Sequence, residues 1–462
     1  VESYDLLVLG SGEAGKYIAW SAASSGKRTV LIERRYIGGS CPNIACLPSK
    51  NLIYSASVAQ LARHAAEFGL HAADPGVDMQ AVRGRKRAMV DGLIRTHEGR
   101  FAQTGVDLIR GEGRFSGPRT IEVALAGGGT RVLTAEHVVI STGSRASIDP
   151  IPGLVESAPL THVEALELGE VPAELVVLGG GYVGLELAQA LRRLGSEVTI
   201  VDRNKRLLSR VDEDVAEVVT RAFLAEGIEL VTEARVTRVE GRSGERVVLH
   251  LDGGNGSLQV SGTHLLVATG RIPNTQGIGL ESAGVAVTTA GFVQVDEQLR
   301  TTAEGVFAVG DCAGSPHFTH VAFDDYRVVR ETMAGRTRVT SGRLVPSCLF
   351  VDPELAQIGL SETEARRTNT PYRLLKLPMA AVLRNLTTGH TSGFLKALIG
   401  RDDDRILGFT ALGSCAGEMM ATVQLAMSAG LPYTVLRDSI FAHPTYSEGL
   451  VYLFSGSPTT VG

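Results

Sequence analysis

The segment Gly38-Gly39-Ser40-Cys41-Pro42-Asn43-Ile44-Ala45-Cys46-Leu47-Pro48-Ser49-Lys50 carries the densest chemistry in the chain. Two thiols with four residues between them can move a pair of electrons by opening and closing as a disulfide. A straight helix would hold them apart, because five residues rise ~7.5 Å and turn the second side chain ~140° from the first. A disulfide needs Cα atoms within about 7 Å and facing Cβ vectors. The segment must therefore bend for the pair to close, and Pro42 is the residue expected to bend it. Cys312, Cys348 and Cys415 stand alone in the sequence and are expected to be buried core thiols. Near the end, His443-Pro444-Thr445-Tyr446-Ser447-Glu448 offers a base and a carboxylate, although one histidine among 11 is more commonly structural.

The thiols follow a glycine loop, and the loop occurs twice. Leu6-Leu7-Val8-Leu9-Gly10-Ser11-Gly12-Glu13-Ala14-Gly15 reads as strand, tight turn and helix start. Leu175-Val176-Val177-Leu178-Gly179-Gly180-Gly181-Tyr182-Val183-Gly184 repeats the pattern. Glu33 ends the next strand 23 positions after Gly10, and Asp202 stands 23 positions after Gly179. Strand, glycines, helix and a correctly spaced acid together form a dinucleotide-binding fingerprint. Gly10 and Gly179 make the turn, Gly12 and Gly181 admit a pyrophosphate, and Gly15 and Gly184 let helix pack on strand. The pyrophosphate then meets the positive helix end, and Glu33 or Asp202 accepts hydrogen bonds from ribose hydroxyls.

Both units close alike, with Val138-Val139-Ile140-Ser141-Thr142-Gly143 and Leu265-Leu266-Val267-Ala268-Thr269-Gly270. The first unit is 42 residues longer between its glycines. The surplus falls where the thiol pair and the helical stretches after Pro48 and over 78–104 lie. Strand-like stretches at 120–133 and at 246–260, around Gly253-Gly254-Asn255-Gly256, predict antiparallel meanders inserted in each unit. Beyond the repeats, Gly305-Val306-Phe307-Ala308-Val309-Gly310-Asp311 is a short buried strand ending in a turn. Asp311 reads either as a turn acid or as a carboxylate on the ribityl chain of a flavin. From about Leu344 strands alternate with amphipathic helices.

Composition narrows the class. At 462 residues and 44% apolar content the chain holds several cores, roughly two to four domains. A net charge of −5 with both signs interspersed gives no basic footprint for nucleic acid. No apolar run reaches the ~18 to 20 residues of a membrane span. No signal peptide is visible before the first strand, and few cysteines fit a reducing cytoplasm.

These motifs resemble the class I pyridine nucleotide-disulfide oxidoreductases, the family of dihydrolipoamide dehydrogenase, glutathione reductase and mercuric reductase. The resemblance spans residues 4 to about 454. It rests on residues 38–50, Thr269-Gly270-Arg271-Ile272-Pro273-Asn274, Gly310-Asp311 and residues 443–448. It implies an α/β fold with two Rossmann-like dinucleotide-binding domains bearing β-meander insertions, then a C-terminal α+β dimerisation domain. The implied divisions are 1–148 with 271–342 for a split FAD-binding domain, 149–270 for NAD(P) and 343–462 for dimerisation.

By the same resemblance, FAD is held through Gly10, Gly12, Gly15, Glu33, Lys50, Gly113, Thr142, Gly143 and Asp311. The nicotinamide dinucleotide is held through Gly179, Gly181, Tyr182, Gly184, Asp202 and Gly270. Tyr182 matches an aromatic gate of the glutathione reductase branch, its alternative being a packing tyrosine. Lys50 and Glu186 resemble an ion pair beside the reactive flavin nitrogen, their alternative being helix-surface charges. Cys46 would face the flavin as a thiolate, and Cys41 would exchange with substrate. His443, oriented by Glu448 and contributed by the partner subunit of a homodimer, would be the base.

Some positions depart from the family pattern. Ala45 replaces the usual glycine before the second cysteine, so the backbone there should avoid positive φ, and Pro42 replaces an aliphatic residue. A second, vicinal cysteine pair, as near the end of mercuric reductases, is lacking after Cys415, and no metal-binding domain is expected before the first unit. Residues 318–327 and 436–444 nevertheless look closest to a mercuric-reductase-like branch that includes flavoproteins linked to copper(II) and hypochlorous stress. The expected substrate is a small disulfide or a soft metal ion. The alternatives are a dihydrolipoamide dehydrogenase of a multienzyme complex and a flavoprotein sensor or complex component without turnover. Asp202 favours NADH by repelling a 2′-phosphate, while Arg203, Lys205 and Arg206 leave NADPH possible.

Overall fold

A computed structural model describes residues 1–71, 76–253 and 256–461. The strand Glu2–Leu9 runs into the Gly10 turn and the helix Glu13–Ser24, and Thr29–Glu33 returns parallel to it with Leu6 opposite Thr29. Two long strands then pair in parallel over one stretch and antiparallel over another within a single six-stranded sheet. In Asp107–Gly117, residues 107–110 pair parallel with Thr29–Glu33, and the remainder pairs antiparallel with Thr120–Leu125. Thr130–Ile140 begins antiparallel to Thr120–Leu125 and ends parallel to Glu2–Leu9. The meander therefore starts before residue 120, inside a strand whose burial alternates residue by residue. Val306–Ala308 later rejoins this sheet, parallel to Thr130–Ile140.

The second unit is a parallel sheet of His264–Val267, Glu174–Leu178, Glu197–Val201 and Glu229–Val231. Its meander is Ala234–Arg242, Arg246–Gly253 and Gly256–Gly262. The turn at Gly254 and Asn255 lies outside the described residues. A ribbon of Ser144–Ala146 with Arg271–Pro273 joins the two units. The last domain is an antiparallel sheet covered by the helices Ala416–Ser428, Tyr433–Asp438 and Gly449–Phe454. One apolar core belongs to all three parts: Leu52 and Ala56 of the helix Cys46–Arg63 share it with Leu185 and Ala188 and with Leu355 and Leu412.

A charged rivet joins the second unit to the last domain. Lys396 is wholly buried in Phe394–Gly400. Its ammonium lies 2.8 Å from Asp212, 2.9 Å from Asp214 and 3.0 Å from Glu362. Asp212 stands at the N-cap position of the helix Glu213–Ala225 of the second unit without a side-chain cap bond, and its carboxylate accepts from the backbone N–H of Glu362 and Thr363. Burial works to raise the Asp212 carboxyl, but Lys396 and the Thr363 N–H hold it below its usual range. The three acids have the spacing of a metal cage, and the ammonium already sits among them. Lys396→Met should strand those carboxylates and cost about 3–5 kcal/mol, read as a lower guanidinium midpoint. An unchanged midpoint would show that the rivet contributes nothing.

Candidate active site

Close approach dictates the first and third glycines of each loop. A Cβ on Gly10 (φ +102°) would lie 2.3 Å from Ser141 O, and one on Gly179 (φ +112°) 2.6 Å from Ala268 O. On Gly15 and Gly184 it would lie 2.3 and 2.1 Å from the carbonyls of Gly10 and Gly179. Gly181, Gly143 and Gly270 instead face open space, as the bulk of a ligand requires. Gly12 is confined by Ser141 Oγ, 3.3 Å from its Cβ position. Gly113 is confined by the core, because a Cβ there would meet Leu9 Cδ1 at 2.7 Å.

The two acids hold their loops. Glu33 Oε2 accepts from Ser11 N (2.9 Å) and Ser11 Oγ (2.7 Å), and Oε1 accepts from the N–H groups of Arg35 and Tyr36. Asp202 accepts from Gly180 N at 2.6 Å and from Asn204. Thr269 Oγ1 is buried with no hydrogen-bond partner among the described residues, while Thr142, at the same place in the first repeat, interacts with the Cys312 thiol. Leaving a buried hydroxyl unpaired is costly. A dinucleotide in the second unit would relieve Thr269, and the open space at Gly143 and Gly270 leaves room for one in each unit, so these residues fit FAD in the first and NAD(P)H in the second. Asp311 accepts from Ser144 Oγ. Arg271, within the motif Thr269-Gly270-Arg271-Ile272-Pro273-Asn274, donates to Ser144 Oγ (2.8 Å) and Ser144 O (2.9 Å) and lies 3.8 Å from Asp311.

The thiol segment bends, but at Ala45 rather than at Pro42. The short helix Ser40–Ile44 stops, Ala45 takes φ −133° and ψ −105°, and Cys46–Arg63 begins. Pro42 is third in its helix, where a missing N–H breaks no bond. Ala45 keeps the negative φ that an alanine prefers, so no glycine is needed. Both thiols are free and half-buried. The Cys41 thiol donates to Cys46, which with the Thr319 hydroxyl (3.3 Å from Sγ) and the Lys50 charge holds Cys46 well below the usual thiol range despite burial. That same bond, with burial, pushes Cys41 up.

Thr319 opens the 15-residue helix Thr319–Met333, whose positive end adds to the effect. It lies 273 positions from Cys46, and only its place before an amphipathic run could have marked it. Thr319→Val should therefore raise the Cys46 pKa. The pH at which iodoacetamide alkylates Cys46 should then move upward, and an unmoved profile would dismiss the contact.

Lys50 pairs with Glu186 at 2.6 Å and stands over the Phe350 ring at 4.7 Å, while Phe350 N donates to Glu186 Oε1 at 3.0 Å. Both charges are therefore bound within the fold instead of lying free on helix surfaces. Tyr182 begins the helix Tyr182–Leu194 and packs on the shared core, its hydroxyl bonded to Ser347 and its pKa raised by burial. His443 is exposed, with Nδ1 3.0 Å from both Glu448 oxygens. Burial works to raise Glu448, but bonds from His443 and Tyr452 leave it below its usual range. Among the described residues no hydrogen bond joins His443 to Cys41 or Cys46 within one subunit. Of the lone thiols only Cys312 is fully buried; Cys348 is half-buried and Cys415, at the N-cap position of Ala416–Ser428, is exposed.

Residues 4–325 match the pyridine nucleotide-disulphide oxidoreductase family and residues 345–454 its dimerisation domain. The chain is 36% identical over 448 residues to a mercuric reductase of Acidithiobacillus ferrooxidans, covering 96% of this chain and 81% of that one. It is 33% identical over 445 residues to a dihydrolipoyl dehydrogenase of Geobacillus stearothermophilus, covering 96% and 94%. Among solved structures, the Cu(II) complex of the HOCl-induced flavoprotein disulfide reductase RclA from Escherichia coli superposes with a TM-score of 0.90 at 33% identity, covering 98% and 99%.

Proposed function

The chain belongs to the pyridine nucleotide-disulphide oxidoreductase family of FAD-containing, NAD(P)H-using enzymes, and from that premise we propose that it reduces a small disulfide or a soft metal ion through Cys41 and Cys46. The observation that carries this reading is the bent segment that presents two free, half-buried thiols, with Cys46 Sγ 3.3 Å from the Thr319 hydroxyl and with Lys50, paired to Glu186, on the helix that Cys46 begins. FAD, when bound, supplies the two-electron exchange between nicotinamide and thiol pair. Gly10, Gly12, Gly15, Glu33, Thr142, Gly143 and Asp311 would hold it, with Gly113 shaping the sheet beneath. Gly179, Gly181, Gly184, Asp202 and Gly270 would hold the nicotinamide dinucleotide. Lys50 and Glu186 would fix charge at the reacting face, and Tyr182 would cover it. The working domain division is 1–148 with 271–342, 149–270 and 343–462.

For a disulfide the balance is RSSR + NADH + H⁺ → 2 RSH + NAD⁺. Two electrons open the Cys41–Cys46 bond, and Cys46 is retained as thiolate. Cys41 loses its proton to His443 and attacks one substrate sulfur. The departing thiolate takes that proton back from His443. Cys46 then attacks the Cys41 sulfur, which re-forms the pair and expels the second product as a thiolate, and that thiolate takes up the H⁺ of the balance from solvent. A soft metal ion would meet the same two sulfurs, a reading favoured by likeness to a mercuric reductase and to a Cu(II)-binding flavoprotein.

A dimerisation domain is present, and in the proposed homodimer His443 serves the partner subunit's thiols. The exposed Leu425, Val435 and Ile440 near that end of the chain suit such a contact. Among the described residues no helix is long and apolar enough to cross a membrane, and a reducing cytoplasm would suit the free thiols. NADH is the favoured donor because Asp202 holds a carboxylate at the strand end. Arg203 and Lys205 keep NADPH as the other arm of the test.

Anaerobic titration with NADH, and separately NADPH, tests the reading. A long-wavelength thiolate–flavin band should appear after two electrons, and bleaching without it would overturn the coupling. Lipoamide, glutathione disulfide, Hg(II) and Cu(II), added in turn, then identify the substrate by which discharges the band fastest. Lipoamide winning with NAD⁺ turnover would favour the dihydrolipoamide dehydrogenase reading, supported by the 33% identity.

A further inference from the structure

The short helix His162–Ala165 opens on a histidine that belongs to no motif. Its place is set by Leu160, whose N–H donates to Leu265 O at 2.7 Å and whose carbonyl accepts from Val267 N at 2.8 Å. The segment thereby extends the second unit's parallel sheet beside His264–Val267. Thr161 and Glu164 close a capping box around the next turn. His162 thus comes level with the end of that strand, where Ala268, Thr269 and Gly270 lead into Arg271. In open parallel sheets ligands bind just beyond those strand ends.

His162 is only 8% exposed, and its Nε2 is buried with no hydrogen-bond partner among the described residues. Burial first, then the Arg271 charge, lowers its pKa to about 4, so the imidazole is neutral near pH 7, with one N–H and one lone pair. A native fold seldom leaves such a group unpaired unless a partner from outside the chain completes it. The seam between the two units is the ribbon of Ser144–Ala146 with Arg271–Pro273. Arg271 joins His162 to this seam: it feels the charges of Asp311 and Cys46 and bonds Ser144.

We propose that His162 is a cofactor-binding residue, its Nε2 completing a hydrogen bond to FAD seated at the seam between the two sheets. This rests on the family assignment of FAD. The side chain would act as a neutral polar contact, sealing the cofactor against the wall that carries Arg271.

His162→Phe keeps a ring without the polar edge, and His162→Gln keeps a polar end of similar reach. Both are stripped of flavin, checked for folding by circular dichroism, and titrated with FAD by fluorescence quenching. The flavin midpoint potential of each reloaded protein is also measured. His162→Phe should weaken FAD binding about tenfold or more and shift the potential, while His162→Gln stays near wild type. Equal binding by wild type and His162→Phe, or equal weakening by Phe and Gln, would overturn the proposal in favour of simple packing. Should neither variant fold, a crystal structure of the wild-type holoprotein decides. Nε2 within about 3.2 Å of a flavin atom supports the contact, and a water or a gap there overturns it. Wild-type protein that fails to bind FAD would sink the cofactor reading itself.

Discussion

Cys41→Ser should abolish turnover, by ~10³-fold or more, while leaving reduction by NADH intact. The serine hydroxyl has no accessible oxyanion near neutral pH and cannot form the exchanging disulfide. It can still donate a hydrogen bond, so Cys46 should keep the bond that lies first among the causes of its low pKa. The variant should therefore show the long-wavelength band from the outset, without the two-electron reduction the wild type needs. Stopped-flow absorbance separates the half reactions. Substrate turnover surviving in Cys41→Ser would remove the thiol pair from the mechanism. Cys46→Ser should lose turnover and band together.

His443→Gln should slow thiol exchange by about 10²–10⁴-fold and spare reduction by NADH. The imidazole is anchored by both Glu448 oxygens at 3.0 Å and is otherwise open to solvent. A glutamine can hold the anchor but cannot carry the proton. Equal slowing of both half reactions would reject the base assignment. Subunit mixing extends the test. If His443 serves the partner's thiols, neither Cys41→Ser nor His443→Gln is active alone. A mixed dimer, however, unites the intact Cys41 and the intact His443 at one of its two sites. Random re-pairing should then restore about a quarter of wild-type activity. No recovery on mixing would place the base within its own subunit.

Local chemistry made the repeats readable. Gly10, Gly15, Gly179 and Gly184 are each required by a backbone carbonyl within 2.6 Å of a would-be Cβ, so steric need wrote itself into residue type. The bend between the thiols was readable as a need but not as a location, since proline is the usual suspect and here sits harmlessly in a first turn. The strand Asp107–Gly117 shows the period-two pattern in Ile109, Gly111, Gly113 and Phe115, yet two of its buried positions are glycines, which hide a hydrophobic alternation. Thr319, Arg271 and Lys396 were silent for a different reason. Their partners lie 273, 127 and 184 positions away, and no local pattern records a contact made only when domains meet. Lys396 even interrupts an apolar run, Phe394-Leu395-Lys396-Ala397-Leu398, where sequence logic alone would read a surface charge.

The contact at Lys396 has a bearing on how molecules come and go. Many two-domain enzymes open and shut like a jaw, with a soft linker for a hinge. Here the nicotinamide-side unit is clamped to the last domain by a buried cation gripping acids from both, and the shared core at Leu185 and Leu355 leaves no slack behind it. Relative motion of those two domains is therefore opposed, and they should move as one body. Admission of a nicotinamide beside Tyr182 should then call on side-chain rotation, a motion of nanoseconds, without a hinge between this pair.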